Sequence, residues 1–429
     1  MPLPVALDRR IVTMFEVNLK LFLLILTAFS LAKACRLFVQ DPCPLLSKNI
    51  GSKNLTFRAK PSGLELSENE SIEVYCASGI IFSGYSEARH LRHKKALLSC
   101  GKDGYTYVKG QNKYGRQFTI QCSSSISFNL YESERTLANC DEFKSYAIGE
   151  NIPLVGTVIK SAICYDLVSF ALKYANYIAY QRNDIWISSA PNLSNELGVD
   201  LAQAIGNLEN YFDFMSQSKF NISRDAMRRD SNPFFKAFEY DYDSILQDDN
   251  FRNEFDDFAY IFNTMWWRQL RENNWRFFLN ALKKRTFSEK YRVFVGPYGN
   301  ATMPSKENPD GKPEQVTVQS NDLAVSAPKY IWAYVKPLIP NSAEEFVVIG
   351  TNSPYIEAPD HTEFCEKDIC DDIAWLKESR FGHLRRIPTL GYTFCCRVEE
   401  VAKIIEHFPL STKVLETTTA TVPLHTLSP

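Results

Sequence analysis

The stretch Ala237–Arg285 reads AFEYDYDSILQDDNFRNEFDDFAYIFNTMWWRQLRENNWRFFLNALKKR, and its charge changes sign half-way along. Residues 239–257 carry eight carboxylates and one base, Arg252, whereas the residues that follow are aromatic and basic. The spacing of apolar side chains predicts a long helix over about 264–284. An acidic segment followed at once by an aromatic, basic helix indicates the position of a functional site.

The acidic residues allow two interpretations. Residues 243–254 have the length of a calcium-binding loop. However, Ile245 stands where an oxygen ligand is needed, Gln247 stands where the pattern has Asp or Asn, and Asp248 replaces the required glycine. A solvated acidic loop is therefore favoured over a calcium site.

The tryptophans of the second half also allow two interpretations. Trp266, Trp267 and Trp275 could stack on nucleobases. Aromatic residues at helical spacing more often belong to a core, so we predict that these three are buried.

The first 34 residues have the form of a secretory signal. Arg9, Arg10 and Lys20 supply positive charge before an apolar run of 11 residues, Leu21–Leu31, and residues 32–34 match a cleavage site. The run is shorter than the roughly 20 apolar residues that a membrane span needs. We therefore expect a secreted, extracellular protein that begins near Cys35 and has no later membrane span.

The 11 cysteines fit an oxidising compartment, where most should be paired. Zinc-type C-x2-C spacing is missing among the last four, so disulfides are favoured over a metal site. The odd number leaves one thiol outside the bridges or bonded to another chain. The disulfide candidates are Cys43, Cys76, Cys100, Cys122, Cys140, Cys164, Cys365, Cys370, Cys395 and Cys396. The N-x-S/T sequons predict glycosylation at Asn54, Asn69, Asn192, Asn221 and Asn300.

Composition and pattern predict an α+β protein of two domains and a tail. The net charge of −2 provides no overall field for a polyanion, so a nucleic-acid contact would need a local patch. Residues 35–150 contain short alternating runs such as Ser71–Tyr75, which predict a small disulfide-stapled all-β module. Residues 151–410 mix helical and strand patterns, and we expect the Thr- and Pro-rich residues 411–429 to be disordered.

Six stretches, in this order, resemble the secreted arthropod branch of the DNA/RNA non-specific endonucleases. They are Leu64–Cys76, Tyr260–Trp275, Val293–Pro304, Ala327–Val335, Phe346–Tyr355 and Cys365–Val398. The resemblance implies a ββα-metal nuclease core with a mixed or antiparallel sheet. It also implies Mg²⁺ as cofactor, DNA or RNA as partner, and hydrolysis of phosphodiester bonds by a histidine general base.

The general base of that family is missing from this chain. Its position falls on Tyr242 or Ser244, and no histidine lies between His93 and His361. Loss of a general base alone typically costs about 10²–10⁴-fold in rate.

The metal ligands of the family are displaced or replaced. The asparagine that binds the metal falls on Arg271 or Glu272, and a later glutamate falls on Leu279. The residues that remain as Mg²⁺ ligands are Asn263, which matches the asparagine opening the helix segment, and Asn273 and Asn274. The candidates for nucleic-acid contact are Arg268 and Arg271.

Three hypotheses follow. The first is a secreted protein of this nuclease family that has lost catalysis and acts by binding. The second is an active Mg²⁺-dependent endonuclease with a rearranged site. The third is an extracellular interaction protein in which the tail and the glycans matter more than the cleft.

Overall fold

The computed structural model describes residues 35–410 with internal gaps. The gaps are 51–52, 60–62, 84–87, 92, 103–105, 109–112, 116, 126, 153–155, 180–183, 191–196, 213–239, 249–252, 305–310, 321–322, 342 and 356–360. The predicted signal, the predicted tail, Asn192 and Asn221 therefore lie outside the described residues.

The chain divides into two compact units. The first comprises Met1–Lys48 and Ala59–Ile126, and the second comprises Asn49–Arg58 and Ser127–Pro429. The second unit therefore takes in residues 127–150, which the sequence pattern had grouped with the β module.

The first unit consists of short strands in two sheets. One sheet has the order β4-β1-β11-β6-β7, and the other contains β2, β5, β8, β9 and β10. The strands of this part of the chain, with β3 of the second unit, are β1 (Cys35–Val39), β2 (Leu45–Ile50), β3 (Lys53–Ala59), β4 (Leu64–Leu66), β5 (Ser71–Tyr75), β6 (Ile80–Ser83), β7 (Ala88–Leu91), β8 (Lys95–Cys100), β9 (Thr106–Val108), β10 (Lys113–Gly115) and β11 (Gln117–Cys122). Two disulfides, Cys35–Cys100 and Cys76–Cys122, connect one sheet to the other.

The first of these bridges corrects the set of disulfide candidates. Cys35 bonds to Cys100, whereas Cys43 keeps its thiol, which donates a hydrogen bond to the Asp41 carboxylate at 3.0 Å. Cys35 is the first residue of β1 and is fully buried beside β8, a neighbour that spacing along the chain does not reveal. The remaining bridges are Cys140–Cys164, Cys365–Cys396 and Cys370–Cys395.

The second unit is built on a large antiparallel sheet. Its central order is β14-β15-β20-β25-β26-β27, and the buried faces of β25 and β26 carry Trp332, Tyr334 and Ile349 in its core. The strands are β12 (Asn129–Glu132), β13 (Lys144–Ile152), β14 (Gly156–Asp166), β15 (Ala171–Ala179), β16 (Asp184–Ala190), β17 (Val199–Asp200), β18 (Tyr240–Ser244), β19 (Asn263–Trp267), β20 (Tyr291–Tyr298), β21 (Thr302–Met303), β22 (Glu314–Gln315), β23 (Thr317–Ser320), β24 (Leu323–Ser326), β25 (Tyr330–Pro337), β26 (Phe346–Thr351) and β27 (Thr393–Cys396).

Helices are few and short beside this sheet, so the fold is α+β with β structure dominant. The α-helices are α1 (Leu201–Ile205), α2 (Leu208–Phe212), α3 (Ala259–Phe262), α4 (Arg268–Leu270), α5 (Arg276–Arg285), α6 (Ala374–Lys377), α7 (Arg380–Leu384) and α8 (Val398–Val401). Segments of 3-10 helix cover Asn253–Phe258 and Pro388–Leu390, and one π turn covers Arg271–Trp275. None of the helices in the described part of the chain is long and apolar enough to cross a membrane.

Two sequons have described side chains. Asn69 and Asn300 are both exposed, as an acceptor of a glycan must be. Asn54 lies in β3, and its side chain is outside the description.

Candidate functional site

The stretch singled out in the sequence forms a β-hairpin that leads directly into a helix. β18 pairs antiparallel with β19, and α4, the π turn and α5 then continue as one helical segment over residues 268–285. The helix predicted from Thr264 therefore begins at Arg268, and Asn263 lies in a strand instead of opening the helix. Thr264 and the two tryptophans that follow favour extended backbone, and the pairing partner β18 stabilises it.

The two faces of this hairpin have different surroundings. Residues directly opposite each other in an antiparallel pair lie on the same face. Asp241 is opposite Trp266, and Asp243 is opposite Thr264. The Trp266 ring lies 5.5 Å from the Trp275 ring of the π turn, so this face, with both aspartates, points to the helix.

The aspartates of this face bind the arginines of the helix. Arg268 donates to both carboxylate oxygens of Asp241, from Nε at 3.0 Å and from Nη2 at 2.8 Å. Arg271 donates to Asp243 from Nη1 and to Asp241 from Nη2, both at 2.7 Å. Planar guanidinium groups match carboxylates in this two-point geometry, which makes such pairs stronger than single contacts. We call these four residues the Asp–Arg cluster.

The Asp–Arg cluster changes the interpretation of the acidic segment. Asp241 is 8% exposed, and Asp248, at the turn after β18, is also 8% exposed. The expectation that these aspartates form a solvated loop was therefore wrong. The arginines predicted to contact nucleic acid, Arg268 and Arg271, therefore already have carboxylates as partners. The two arginines and the two aspartates cancel in formal charge.

The positions predicted for the general base lie on the other face of the hairpin. Tyr242 lines a separate pocket there, and the Ser244 hydroxyl accepts a hydrogen bond from the backbone N–H of Leu246 at 3.1 Å. A shift of one residue moves a strand's side chains to the opposite face. The residues of β18 that face the helix are Asp241 and Asp243.

The three asparagines proposed as Mg²⁺ ligands do not come together. Asn274 is fully buried, and its Nδ2 donates to the backbone oxygens of Leu384, Arg385 and Gly391 at 3.2, 3.3 and 2.6 Å. Asn273 donates from its amide to the backbone oxygen of Gln269 at 3.0 Å. Asn263 lies opposite Ser244 and lines the pocket that contains Tyr242.

These residues do not fit a Mg²⁺ site. An ion of this kind needs converging oxygen ligands, whereas the asparagines face a buried loop, a groove and a separate pocket. Among the described residues one group has metal-type ligands within reach of one another, namely Asp368, Cys370 and Cys395. Its two sulfurs are bonded in a disulfide and are not thiolates.

A polar groove of about 330 Å³ runs beside the Asp–Arg cluster. Its lining contains Arg271 and Glu272, the positions to which the family's metal-binding asparagine maps, and Leu279, the position of the late glutamate. No histidine lines this groove within the described part of the chain. Its other lining residues are Gln247, Asp248, Asn273, Arg276, Asn280 and Lys283.

The prediction that the tryptophans are core residues is confirmed. Trp266, Trp267 and Trp275 are 0, 3 and 1% exposed, so their rings are not surfaces on which bases could stack. The Trp266 indole nitrogen donates to the backbone oxygen of Ser244 at 3.1 Å, which satisfies its polar end inside the core.

Asn352 supports the hairpin from its other face, and sequence reasoning did not single it out. This fully buried side chain accepts from the backbone N–H of Trp267 at 2.6 Å and donates to the backbone oxygens of Met265 and Pro328, both at 2.9 Å. Burial raises the pKa of Tyr240, whose hydroxyl donates to the Asn352 backbone oxygen at 3.1 Å. Asn352 lies inside the stretch Phe346–Tyr355 that carries the resemblance, but nothing in that stretch marks this asparagine as a partner of the hairpin.

One comparison relates the chain to a known protein. It is similar to salivary protein Tsal1 of Glossina morsitans morsitans, with 26% identity over 282 residues. The similar region covers 60% of this chain and 61% of that protein, so the chain spans less than two thirds of its relative. No family model matches the chain. The similarity suggests a secreted arthropod salivary family.

Proposed function

We propose that the protein is a secreted salivary-type protein with the frame of a DNA/RNA non-specific endonuclease, and that it acts by binding and not by cleavage. The hairpin β18–β19 followed by residues 268–285 supports the ββα frame. The similarity to an insect salivary protein supports secretion, as do the five disulfides.

The Asp–Arg cluster is the observation that carries this proposal. The face of β18 that meets the helix presents Asp241 and Asp243, and both are paired with its arginines, whereas the positions mapped to the general base, Tyr242 and Ser244, lie on the other face and are not histidine. A carboxylate at hydrogen-bond distance from Arg271 competes with any phosphate for the same donors. The side chains of Asn263, Asn273 and Asn274 turn away from one another and do not converge on a point that a metal ion could occupy.

Cleavage is tested by incubating the purified glycoprotein with supercoiled plasmid and with a structured RNA in Mg²⁺ or Mn²⁺. We expect no cleavage above that of a mock purification, because the base and the metal ligands are both missing. A contaminating nuclease is recognised by an Arg271→Ala variant, which leaves a contaminant's activity unchanged. Cleavage that disappears with chelator and in Arg271→Ala would instead establish the active Mg²⁺-dependent endonuclease.

Nucleic acid is the partner class that the frame implies, and the polar groove offers Arg276 and Lys283 to it. Each phosphate neutralised contributes about −0.9 to the slope of log K against log salt. With two such cations we expect weak binding and a slope near −2 in fluorescence anisotropy with labelled DNA and RNA. Lys283→Ala should make the slope less steep by about 1, whereas the exposed Lys403→Ala should not change it. Absence of binding at low salt would favour a protein partner.

A further inference from the structure

A second pocket lies on the face of the hairpin opposite the Asp–Arg cluster. It has a volume of about 590 Å³, within the range of about 300–1,000 Å³ typical of small-molecule sites. Its walls combine aromatic rings with amide, hydroxyl and carboxylate groups. Its lining includes Phe170, Tyr242, Asn263, Tyr298, Ser326 and Glu406.

The wall of this pocket also contains Asn300, the acceptor asparagine of the glycosylation sequon Asn300-Ala301-Thr302. Ala301 is fully buried, and its backbone is fixed at both ends, by donation to Ala327 at 2.7 Å and by acceptance from Val316 at 2.8 Å. Asn300 and Thr302 on either side of it are exposed. The acceptor asparagine is therefore held at the rim of the pocket by a fixed backbone.

An aromatic ring precedes the acceptor by two residues. Tyr298 ends β20, and Gly299 follows it with a φ of +65°, a left-handed turn that glycine adopts readily. One side of the Tyr298 ring packs edge-to-face on Phe364 at 5.5 Å, and its hydroxyl donates to the Ile404 backbone oxygen at 3.4 Å. These contacts fix the ring, and the turn brings Asn300 back beside it, in the same pocket wall.

A second ring is held in an unusual conformation at the same pocket. Phe170 has a φ of +50°, in the left-handed region that bulky side chains rarely adopt. Strain of this kind persists where the surrounding structure requires it, and it concentrates at ligand sites.

We propose that this pocket holds the first N-acetylglucosamine of a glycan attached at Asn300. The pyranose ring has a face of C–H groups that fits the electron-rich face of an aromatic ring. Its acetamide and hydroxyl groups need donors and acceptors, which Asn263, Ser326 and Glu406 supply around the rings. A covalent tether raises the effective concentration of the sugar to the millimolar range, so a weak contact suffices to fill the site.

The first test is occupancy and protection in the full chain secreted from insect cells. Glycopeptide mass spectrometry should find Asn300 occupied. Peptide-N-glycosidase added to the native protein should release the Asn300 glycan at least tenfold more slowly than the Asn69 glycan, and denaturation should abolish the difference. Asn69 is a matched control because it is also exposed at a turn, with a φ of +65° at Asn69 itself. The residue two positions before it is Ser67, where Asn300 has the aromatic Tyr298. An unoccupied Asn300, or equal release from both sites, overturns the proposal.

The second test is coupling between the sugar and Tyr298. Trimming by an endoglycosidase that leaves one sugar on Asn300 should keep the Tm of the second unit, whereas Asn300→Gln should lower it by about 2–4 °C. When Tyr298 is first replaced by threonine, adding Asn300→Gln should lower the Tm by less than half as much as it does in the natural chain. An effect of equal size in both backgrounds overturns the proposal, because the sugar would then act without the ring.

Discussion

Replacing Asp241 by asparagine removes the carboxylate at the centre of the Asp–Arg cluster. That carboxylate accepts two hydrogen bonds from Arg268 and one from Arg271, at 2.7–3.0 Å, with the aspartate side chain 11% exposed. Removing one partner of a buried ion pair typically costs about 3–5 kcal/mol. The Arg268 side chain is 35% exposed, which places the cost at the lower end of that range. We expect Asp241→Asn to lower the free energy of unfolding by about 3 kcal/mol.

Urea unfolding followed by tryptophan fluorescence measures this cost. All six tryptophans lie beyond residue 126, so the signal reports on the second unit alone. Asp372→Asn is the matched control, because Asp372 pairs with Lys367 at 2.6 Å while both side chains are more than half exposed. That change should cost less than about 0.5 kcal/mol. Asp243→Asn should fall between the two, at about 1–2 kcal/mol, because the Asp243 carboxylate accepts from Arg271, whereas the Asp241 carboxylate accepts from both Arg268 and Arg271.

Two further measurements, the salt dependence of the cost and a double-mutant cycle, show whether the Asp–Arg cluster behaves as a buried ion pair or as an exposed one. The cost of Asp241→Asn should change little between low and high salt, since buried pairs are screened much less than exposed ones. The double variant Asp241→Asn/Arg268→Ala should lose less free energy of unfolding than the sum of the two single variants, because Asp241 and Arg268 contact each other. A cost no larger than that of Asp372→Asn, or one that disappears at high salt, would refute the argument that the cluster is a fixed part of the site.

Three further predictions concern other parts of the chain. Asn274→Ala should cost about 2–4 kcal/mol by urea unfolding, equally with and without Mg²⁺, because it leaves backbone oxygens without their donor; a cost that appears only with Mg²⁺ would mean a metal ligand. Burial, with the nearby Lys173 charge, lowers the pKa of His407 from 6.5 to about 4, so as the pH falls from 6.5 to 4 the unfolded chain binds the proton first and the free energy of unfolding decreases. His407→Gln should remove on the order of 3 kcal/mol of that decrease, and a variant with the same pH profile as the natural chain would contradict this prediction. Cys35→Ser should lower stability by about 2–5 kcal/mol and reduce secretion, whereas Cys43→Ser should retain all five bridges in a non-reducing peptide map.

The chemistry of the site follows from which face of β18 carries charge. Two aspartates facing a helix that presents two arginines form a neutral, hydrogen-bonded unit, which suits a stable frame more than a phosphate site. Besides Arg271, the cations that line the groove are Arg276 and Lys283, which are fewer than strong nucleic-acid binding uses. A weak binding function therefore fits the charge distribution better than a tight one.

The sequence by itself determined where the site region lies and which residue types it contains. The absence of a histidine from residues 94–360 is independent of folding, and so is the placement of carboxylates and tyrosines in the strand before the helix. Burial of Trp266, Trp267 and Trp275 also followed from pattern, because large apolar rings leave water in any compact arrangement. The abundance of cysteines indicated disulfides without giving the partners.

The tertiary structure alone decided which side chains meet. Alternation in a strand has a period of two, and the sequence of β18 does not say which of its two faces, that of Asp243 or that of Tyr242, meets the helix. The helix begins at Arg268 because pairing with β18 holds residues 263–267 in an extended conformation. The residue pattern of 263–267 contains no information about its pairing partner β18. Cys35 bonds to Cys100, and Asn274 binds the 384–391 loop. In both cases the partners lie 65 or more positions apart in the chain, so the packing of the chain brings them together and the local sequence does not indicate the contact.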